Sequence, residues 1–162
     1  MNKKILLALA VIGVVIIASI VIIGVLSSET VTLDGLTFNV PERYFVNSTD
    51  DDTIVLASPA DDGSVWTVEI RVTNNDSKLE DLKKRVNTTI TANGQTNFFN
   101  VTMLSGNKVF TDFRALNFDG IPSDSGDITF VFERDGKIVE IESFYYEPDR
   151  DYYEWVVSEI IA

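Results

Sequence analysis

Asp127-Ile-Thr-Phe-Val-Phe-Glu-Arg-Asp-Gly-Lys-Ile-Val-Glu-Ile-Glu-Ser-Phe-Tyr145 is the stretch that decides the fold. It contains two runs in which apolar and polar residues alternate, separated by the short turn Arg134-Asp-Gly136. An alternation with a period of two is typical of strands that bury one side. The turn residues predict that the two runs form an antiparallel hairpin. The apolar positions of the two runs are Ile128, Phe130, Phe132, Val139, Ile141 and Tyr145.

The residues before this hairpin predict further strands. Phe98–Leu104 and Lys108–Phe118 extend it into an antiparallel meander, and Val65–Val72 alternates in the same way. Val31–Val40 holds two short runs around Asp34-Gly35, a pair of residues that tolerates the positive φ of a type I′ hairpin turn. Thr53–Ala57 is a further short strand, whereas the polar residues 47–52 are expected to form a loop.

Two helices are predicted as well. Ser77 and Glu80 have the spacing of a capping box, and the apolar residues that follow recur at helical intervals as far as Ile90, before Asn93-Gly94 ends the pattern. Pro148 opens a last helix that runs to about residue 161. Strands grouped into antiparallel sheet with helices on its faces predict the α+β class.

A long apolar run precedes the domain. Ile5–Leu26 contains 22 uncharged residues, and Lys3 and Lys4 stand directly before it. A helix of this length reaches about 33 Å, enough to cross a hydrocarbon core of about 30 Å. The sequence therefore predicts a cytoplasmic stub at residues 1–4, a transmembrane helix at residues 5–26, a short linker at residues 27–30 and an extracytoplasmic domain at residues 31–162.

The lysines fix the orientation. Positive residues favour the cytoplasmic side, so a single-pass protein of the cell membrane is expected, with its N-terminus cytoplasmic and its C-terminal domain extracellular. The lipid bilayer is then a partner through residues 5–26. A cleaved secretory signal is an alternative, although such signals have shorter apolar stretches. A type IV pilin is another, although pilin helices usually carry an acidic residue near their start.

Composition excludes several functions. The chain has no Cys and no His, which removes thiol nucleophiles, disulfides and histidine-based acid–base catalysis. All 25 acidic residues and all but two of the 13 basic residues follow the apolar run, so the domain is strongly acidic. Such a surface repels nucleic acid, and no DNA or RNA partner is expected.

Four Asn-x-Ser/Thr sequons lie in the predicted domain, and none has proline at its middle position. In an exported domain these sequences mark glycosylation candidates on exposed segments, and unmodified asparagines in polar loops are the alternative. Glycans would indicate an archaeal or eukaryotic source more than a bacterial one. The four asparagines are Asn47, Asn75, Asn87 and Asn100.

Other chemistry is weakly indicated. The loop residues Asp119, Asp124 and Asp127 could supply oxygen ligands to Ca²⁺. A second set consists of Asp50–Asp52 with Asp61 and Asp62. Neither set has the spacing of an EF-hand, and solvated acidic loops are the alternative explanation for both. Carboxylate pairs could serve a divergent enzyme, but no pair stands out. No catalytic residue, metal site or cofactor is assigned. An aromatic groove or simple core packing would explain Tyr145, Tyr146, Tyr152, Tyr153 and Trp155.

The stretch Gly35-Leu-Thr-Phe-Asn-Val-Pro-Glu-Arg-Tyr44 resembles the opening of PsbP-like domains, and the later Ile141-Glu-Ser-Phe144 before a closing helix resembles them too. The resemblance implies an antiparallel sheet between helices, an α/β/α sandwich. It also implies a binding or assembly role without catalytic residues. The Asn-, Asp- and Thr-rich composition is similar to that of membrane-anchored surface proteins of methanogenic archaea. The expected function is therefore non-enzymatic binding of a protein or cell-envelope component, with an envelope structural subunit or a carboxylate-dependent enzyme as alternatives.

Overall fold

The computed structural model describes residues 29–59, 65–119, 121–146 and 150–162. The predicted cytoplasmic stub, the transmembrane helix at residues 5–26 and the start of the linker lie outside the described residues. Within the described ranges, no helix is both long enough and apolar enough to cross a membrane.

Strands dominate the described chain, and two helices accompany them. The strands are β1 (Thr30–Leu33), β2 (Leu36–Asn39), β3 (Phe45–Thr49), β4 (Thr53–Pro59), β5 (Val65–Thr73), β6 (Thr89–Ala92), β7 (Gln95–Leu104), β8 (Asn107–Phe118), β9 (Ile121–Arg134) and β10 (Lys137–Tyr146). The helices are α1 (Ser77–Arg85) and α2 (Arg150–Ile161).

Eight of the strands form one antiparallel sheet in the order β3-β4-β5-β10-β9-β8-β7-β6. The predicted meander is confirmed from β7 to β10. Strand β10 also pairs with β5, so that Ile141 lies opposite Ile70 on one side and Phe130 on the other. Strands β1 and β2 form a separate hairpin. Its turn has Asp34 at φ 47° and Gly35 at φ 78°, as a type I′ turn requires.

One face of the sheet forms the main core. Helix α2 and the β1–β2 hairpin lie over it and exclude water from the alternate apolar side chains of β4, β5, β9 and β10. The ion pair between Lys137 Nζ and Asp34 Oδ2, at 2.6 Å, joins the hairpin to the β9–β10 turn. The fully buried large side chains include Phe38, Ile54, Leu56, Ile70, Phe130, Phe132, Ile141, Tyr153 and Ile160.

Helix α1 lies on the opposite face and makes a smaller cluster. Leu79 and Leu82 of the helix are buried there, against residues of the sheet that point away from the main core. These residues are Phe99, Phe110, Val131 and Ile138. Each face of the sheet is therefore covered by different elements.

The predicted fold class, an α+β protein with an α/β/α sandwich of the PsbP-like kind, is wrong. The described chain is mostly β, with an eight-stranded antiparallel sheet and two helices. The length of α1 relative to the width of the sheet explains the difference. Nine residues of α1 span about 13 Å, whereas eight strands at about 4.8 Å spacing span about 34 Å. A helix of that size cannot form a layer over the sheet.

The expected extension of α1 to Ile90 is also wrong. The helix ends at Arg85, Asn87 takes a positive φ of 60°, and Ile90 lies in β6. The run Thr88-Thr-Ile-Thr91 consists of β-branched residues, which favour strand over helix. The capping box does not form either. The Ser77 N–H donates to Asn75 Oδ1 at 3.0 Å, and the Glu80 carboxylate pairs with Lys83.

Candidate functional site

The part of the second face that α1 leaves uncovered carries a charged groove. It has a volume of about 270 Å³ and opens to solvent between β5, β10, β9 and β8, with α1 at one end. The groove is defined here by six ionisable side chains and by four neighbours that complete its wall. These residues are Glu69, Lys78, Asp112, Arg114, Asp127 and Glu142, with Thr67, Thr129, Ser143 and Phe144.

The sheet register brings the charges together. Glu142 lies opposite Glu69 on β5 and opposite Thr129 on β9, and Thr129 lies opposite Asp112 on β8. Because directly opposed residues point to the same face, these four side chains form one row across the sheet. Their strands bury the alternate positions in the main core. The groove is thus the polar side of the strands whose apolar side holds the fold together.

Lys78 connects α1 to this row. Its Nζ donates to Glu140 Oε2 at 2.8 Å and to Glu142 Oε1 at 2.6 Å. Glu140 is only 8% exposed, so the lysine neutralises a carboxylate that is nearly buried. Burial alone would lower the pKa of Lys78, but its hydrogen bonds to Glu140 and Glu142 outweigh that effect and raise it. Lys78 therefore carries its charge throughout the physiological range.

Arg114 lies between two carboxylates at the other side of the groove. Its guanidinium nitrogens are 4.0 Å from Asp112 Oδ2 and 3.8 Å from Asp127 Oδ2, which is longer than a hydrogen bond. Asp112 also accepts a hydrogen bond from Asn97 Nδ2 at 2.8 Å. The arginine is held by charge, without close bidentate pairing, so its donors are available to an acceptor that enters the groove.

An apolar surface borders the charges. Phe144 is 53% exposed and lines the groove beside Asp127, its direct neighbour on β9. The Ser143 hydroxyl donates to the Thr67 carbonyl at 2.9 Å. A serine used as a nucleophile needs a neighbouring base to accept its proton, and a backbone carbonyl cannot do this. The groove can bind charged and apolar groups at once.

The C-terminal aromatic residues belong mainly to the core. Tyr153 is buried, donates to the Phe144 carbonyl at 2.8 Å and packs against Trp66 and Tyr152. The hydroxyls of Tyr152 and Tyr44 are 3.3 Å apart. Burial, together with this hydrogen bond, raises the pKa of Tyr44 far above its usual range. The side chains of Tyr145 and Tyr146 lie outside the described part of the chain.

Trp155 is 46% exposed on α2. Its ring lies beside that of Tyr152, with the two centroids 5.8 Å apart. Trp155 lies on the side of the sheet that carries α2 and the β1–β2 hairpin, whereas the charged groove is on the opposite side. The three of these aromatic residues whose side chains are described thus supply core packing and one exposed ring.

The aspartates predicted as calcium ligands do not share one described setting. Asp119 lies in the turn after β8 with φ 51°, and Asp127 faces Arg114 in the charged groove. The side chain of Asp124 lies outside the described atoms. Among the described residues, no group of three acidic, His or Cys side chains is placed to hold a metal ion.

The four sequon asparagines lie in different settings. Asn47 is on β3 and Asn87 lies two residues before the start of β6, and both are exposed. Asn75 supplies the acceptor for the Ser77 N–H at the start of α1. Asn100 is half-buried on β7, where its side-chain oxygen accepts from the Val101 N–H at 2.9 Å.

The sequence had not indicated the charged groove. The alternation of the last hairpin places Glu140 and Glu142 only on the polar side of one strand. The signal that could have found the site is the pairing of β5 with β10, because it aligns the polar face of Val65–Thr73 with that of Lys137–Tyr146. The sequences of two strands that are far apart in the chain do not show that these strands pair.

Comparisons with known proteins give little further information. No protein-family model matches the sequence, and no curated protein matches it. Among solved structures, the chain is similar to a protein of unknown function from Pseudomonas aeruginosa, with 11% identity, a TM-score of 0.39, and coverage of 80% of this chain and 90% of that one. A score at this level does not establish a common fold. None of these results bears on the resemblance to PsbP-like domains.

Proposed function

We propose that the protein is a membrane-tethered, extracytoplasmic domain that binds a protein or cell-envelope component through the charged groove without chemical turnover. The observation that carries the proposal is the combination of loosely held charges and an exposed aromatic ring in one open groove. Arg114 keeps donors available between two carboxylates, and Phe144 offers apolar area next to it. Interface cores are enriched in arginine and aromatic residues.

Charge indicates the character of the partner. Four carboxylates and two cations line the groove, so its surroundings are negative on balance. The partner segment is therefore expected to contribute a basic side chain to the carboxylates and an apolar side chain to Phe144. Attraction of this kind speeds association and selects partners more than it raises affinity. The extracytoplasmic placement comes from the sequence argument for residues 1–26.

Matched charge reversals test the proposal. The full chain, wild type or variant, would be cross-linked in the membranes of the cells that produce it, and the captured partner would be quantified. Asp127→Lys and Phe144→Ala are expected to reduce capture about tenfold, the effect of losing roughly 1.4 kcal/mol. Glu159→Lys makes the same charge change on the exposed surface of α2 and should leave capture unchanged. Equal capture by all three variants would refute the assignment of the groove.

A second candidate, an envelope structural subunit, has one observation in its favour. Among the described strands, the sheet is open at both ends, since β3 and β6 are its terminal strands. Unpaired strand edges can pair with another chain. Filaments or sheets of the full chain, seen by electron microscopy of native membranes, would support this function over the first.

A further inference from the structure

Both edges of the eight-stranded sheet carry a glycosylation sequon. Asn47-Ser-Thr49 lies on β3, one terminal strand, and Asn87-Thr-Thr89 leads into β6, the other. The edge strands are otherwise poorly protected. All four residues of β6 are exposed, as are four of the five residues of β3. An exposed edge offers unpaired N–H and C=O groups to other chains.

Each of these two asparagines occupies an irregular position, Asn47 within β3 and Asn87 two residues before β6. On β3, Val46 pairs with Leu56 and Ser48 with Val55, so Asn47 is the extra residue of a β-bulge. At β6, the Asn87 N–H donates to the Phe99 carbonyl, and the Phe99 N–H donates to the Thr88 carbonyl. Two residues thus oppose one there as well, which is also the arrangement of a bulge.

A bulge turns the strand edge and releases the extra residue from regular pairing. The side chains of Asn47 and Asn87 are exposed and make no hydrogen bond with another described residue. The other two sequons differ. Asn75 holds the start of α1 through its side-chain oxygen, and Asn100 is half-buried in an interior strand with its oxygen bonded to a backbone N–H. The edge asparagines are the two sequon asparagines that combine exposure with a side-chain amide that makes no such hydrogen bond, so the amide can turn to meet an enzyme.

We infer that Asn47 and Asn87 are N-glycosylated and that the two glycans block the edges of the sheet against pairing with other copies of the chain. The co-reactant is an oligosaccharide linked through phosphate to a polyprenyl lipid. The asparagine Nδ2 attacks the anomeric carbon, and an N–C bond forms as the C–O bond to phosphate breaks. The lipid phosphate leaves with the electron pair of that bond, and the amide gives up one proton to a base.

This inference rests on the extracytoplasmic placement of the proposed function, because the sugar donor faces that side of the membrane. It opposes the structural-subunit alternative, since glycans at both edges would prevent edge-to-edge assembly. A hydrated glycan next to a strand of four or five residues, about 14–17 Å long, covers most of its length.

The first measurement is site occupancy. The full chain, purified in detergent from the membranes of the cells that produce it, would be digested and its glycopeptides measured by mass spectrometry. Sugar is expected on Asn47 and Asn87. If protease added outside the cells digests the domain while both asparagines are unmodified, the inference is overturned and the extracytoplasmic placement stands. If the domain is protected from protease, both are wrong.

The second measurement is the protein mass of the detergent-solubilised full chain by light scattering. Asn47→Gln/Asn87→Gln is expected to at least double this mass through self-association, and Thr49→Ala/Thr89→Ala, which removes the same sequons without changing the asparagines, should do the same. Asn75→Gln/Asn100→Gln is the control and should stay monomeric.

A lysine on each edge identifies the surface of association. Ser48→Lys/Thr91→Lys, added to Asn47→Gln/Asn87→Gln, should restore the monomer, because charged residues on edge strands prevent pairing. If both variants that lack the edge sequons remain monomeric, the glycans do not block the edges and the inference fails. If lysine does not restore the monomer, association uses another surface and the inference fails as well.

Discussion

Replacement of Lys78 by methionine should destabilise the domain because it leaves a nearly buried carboxylate without its cation. The side chain of Glu140 is 10% exposed and that of Lys78 is 36% exposed. Loss of one partner from a fully buried ion pair costs about 3–5 kcal/mol, whereas exposed pairs contribute about 0–1 kcal/mol. The pair with Lys78 lies between these limits, so we expect a loss of about 2 kcal/mol. The second contact, to Glu142, is exposed and adds little.

The assay is urea unfolding of a fragment of residues 29–162, followed by tryptophan fluorescence. This fragment contains every residue of the two hydrophobic clusters. Lys78→Met/Glu140→Gln should recover about half of the loss, because glutamine removes the buried charge. Lys83→Met is the matched control on the same helix, since Lys83 pairs with Glu80 in solvent, and its midpoint should not change. The reasoning is refuted if Lys78→Met unfolds at the wild-type urea concentration, or if the double variant is no more stable than Lys78→Met.

Three further changes test other parts of the structure by the same unfolding assay. Burial and the Tyr152 hydrogen bond raise the pKa of Tyr44 above its ordinary value of 10.0, so the unfolded chain loses this proton at a lower pH than the folded chain does. The free energy of unfolding of the wild type should therefore fall above pH 10 by up to about 1.4 kcal/mol per pH unit. Tyr44→Phe should show a shallower decline. Gly126→Ala would place a methyl group onto the Arg114 backbone carbonyl of the neighbouring strand, so a loss of at least about 2 kcal/mol is expected, and an unchanged midpoint would contradict this packing. Leu82→Ala should cost about 2–4 kcal/mol because it empties the centre of the contact between α1 and the sheet, and a smaller loss would mean that α1 contributes little to stability.

The hairpins were predictable because their signals are local. Asp34-Gly35 and the Arg134–Gly136 turn join runs whose alternation is clear. The expected strands of the meander form within three residues of their predicted bounds, except that β9 begins at Ile121, six residues before the predicted start at Asp127. In each case the turn residues and the flanking pattern agree. Strand β3 was missed because its exposed residues, Phe45–Thr49, lack alternation and include polar residues that favour loops.

The end of α1 and the charged groove show which features of the structure the sequence could not predict. A capping pattern and four apolar residues at helical spacing suggested a longer α1, but the β-branched residues after Asn87 pair with β7 instead, where tertiary hydrogen bonds decide the outcome. The charged groove depends on the pairing of β5 with β10, whose residues are about 70 positions apart in the chain. Period and propensity carry no information about such a contact.

The size of α1 links the fold to the groove. Helix α2 and the β1–β2 hairpin together close the main face of the sheet, so its strands can be apolar at every second position. On the other face, α1 ends at Arg85 and covers only the apolar residues near Ile138 and Val131. The uncovered strands must then present polar side chains to water. A longer helix would have required apolar residues in place of Glu69, Asp112 and Glu142, and the same eight strands would then have carried no charged groove.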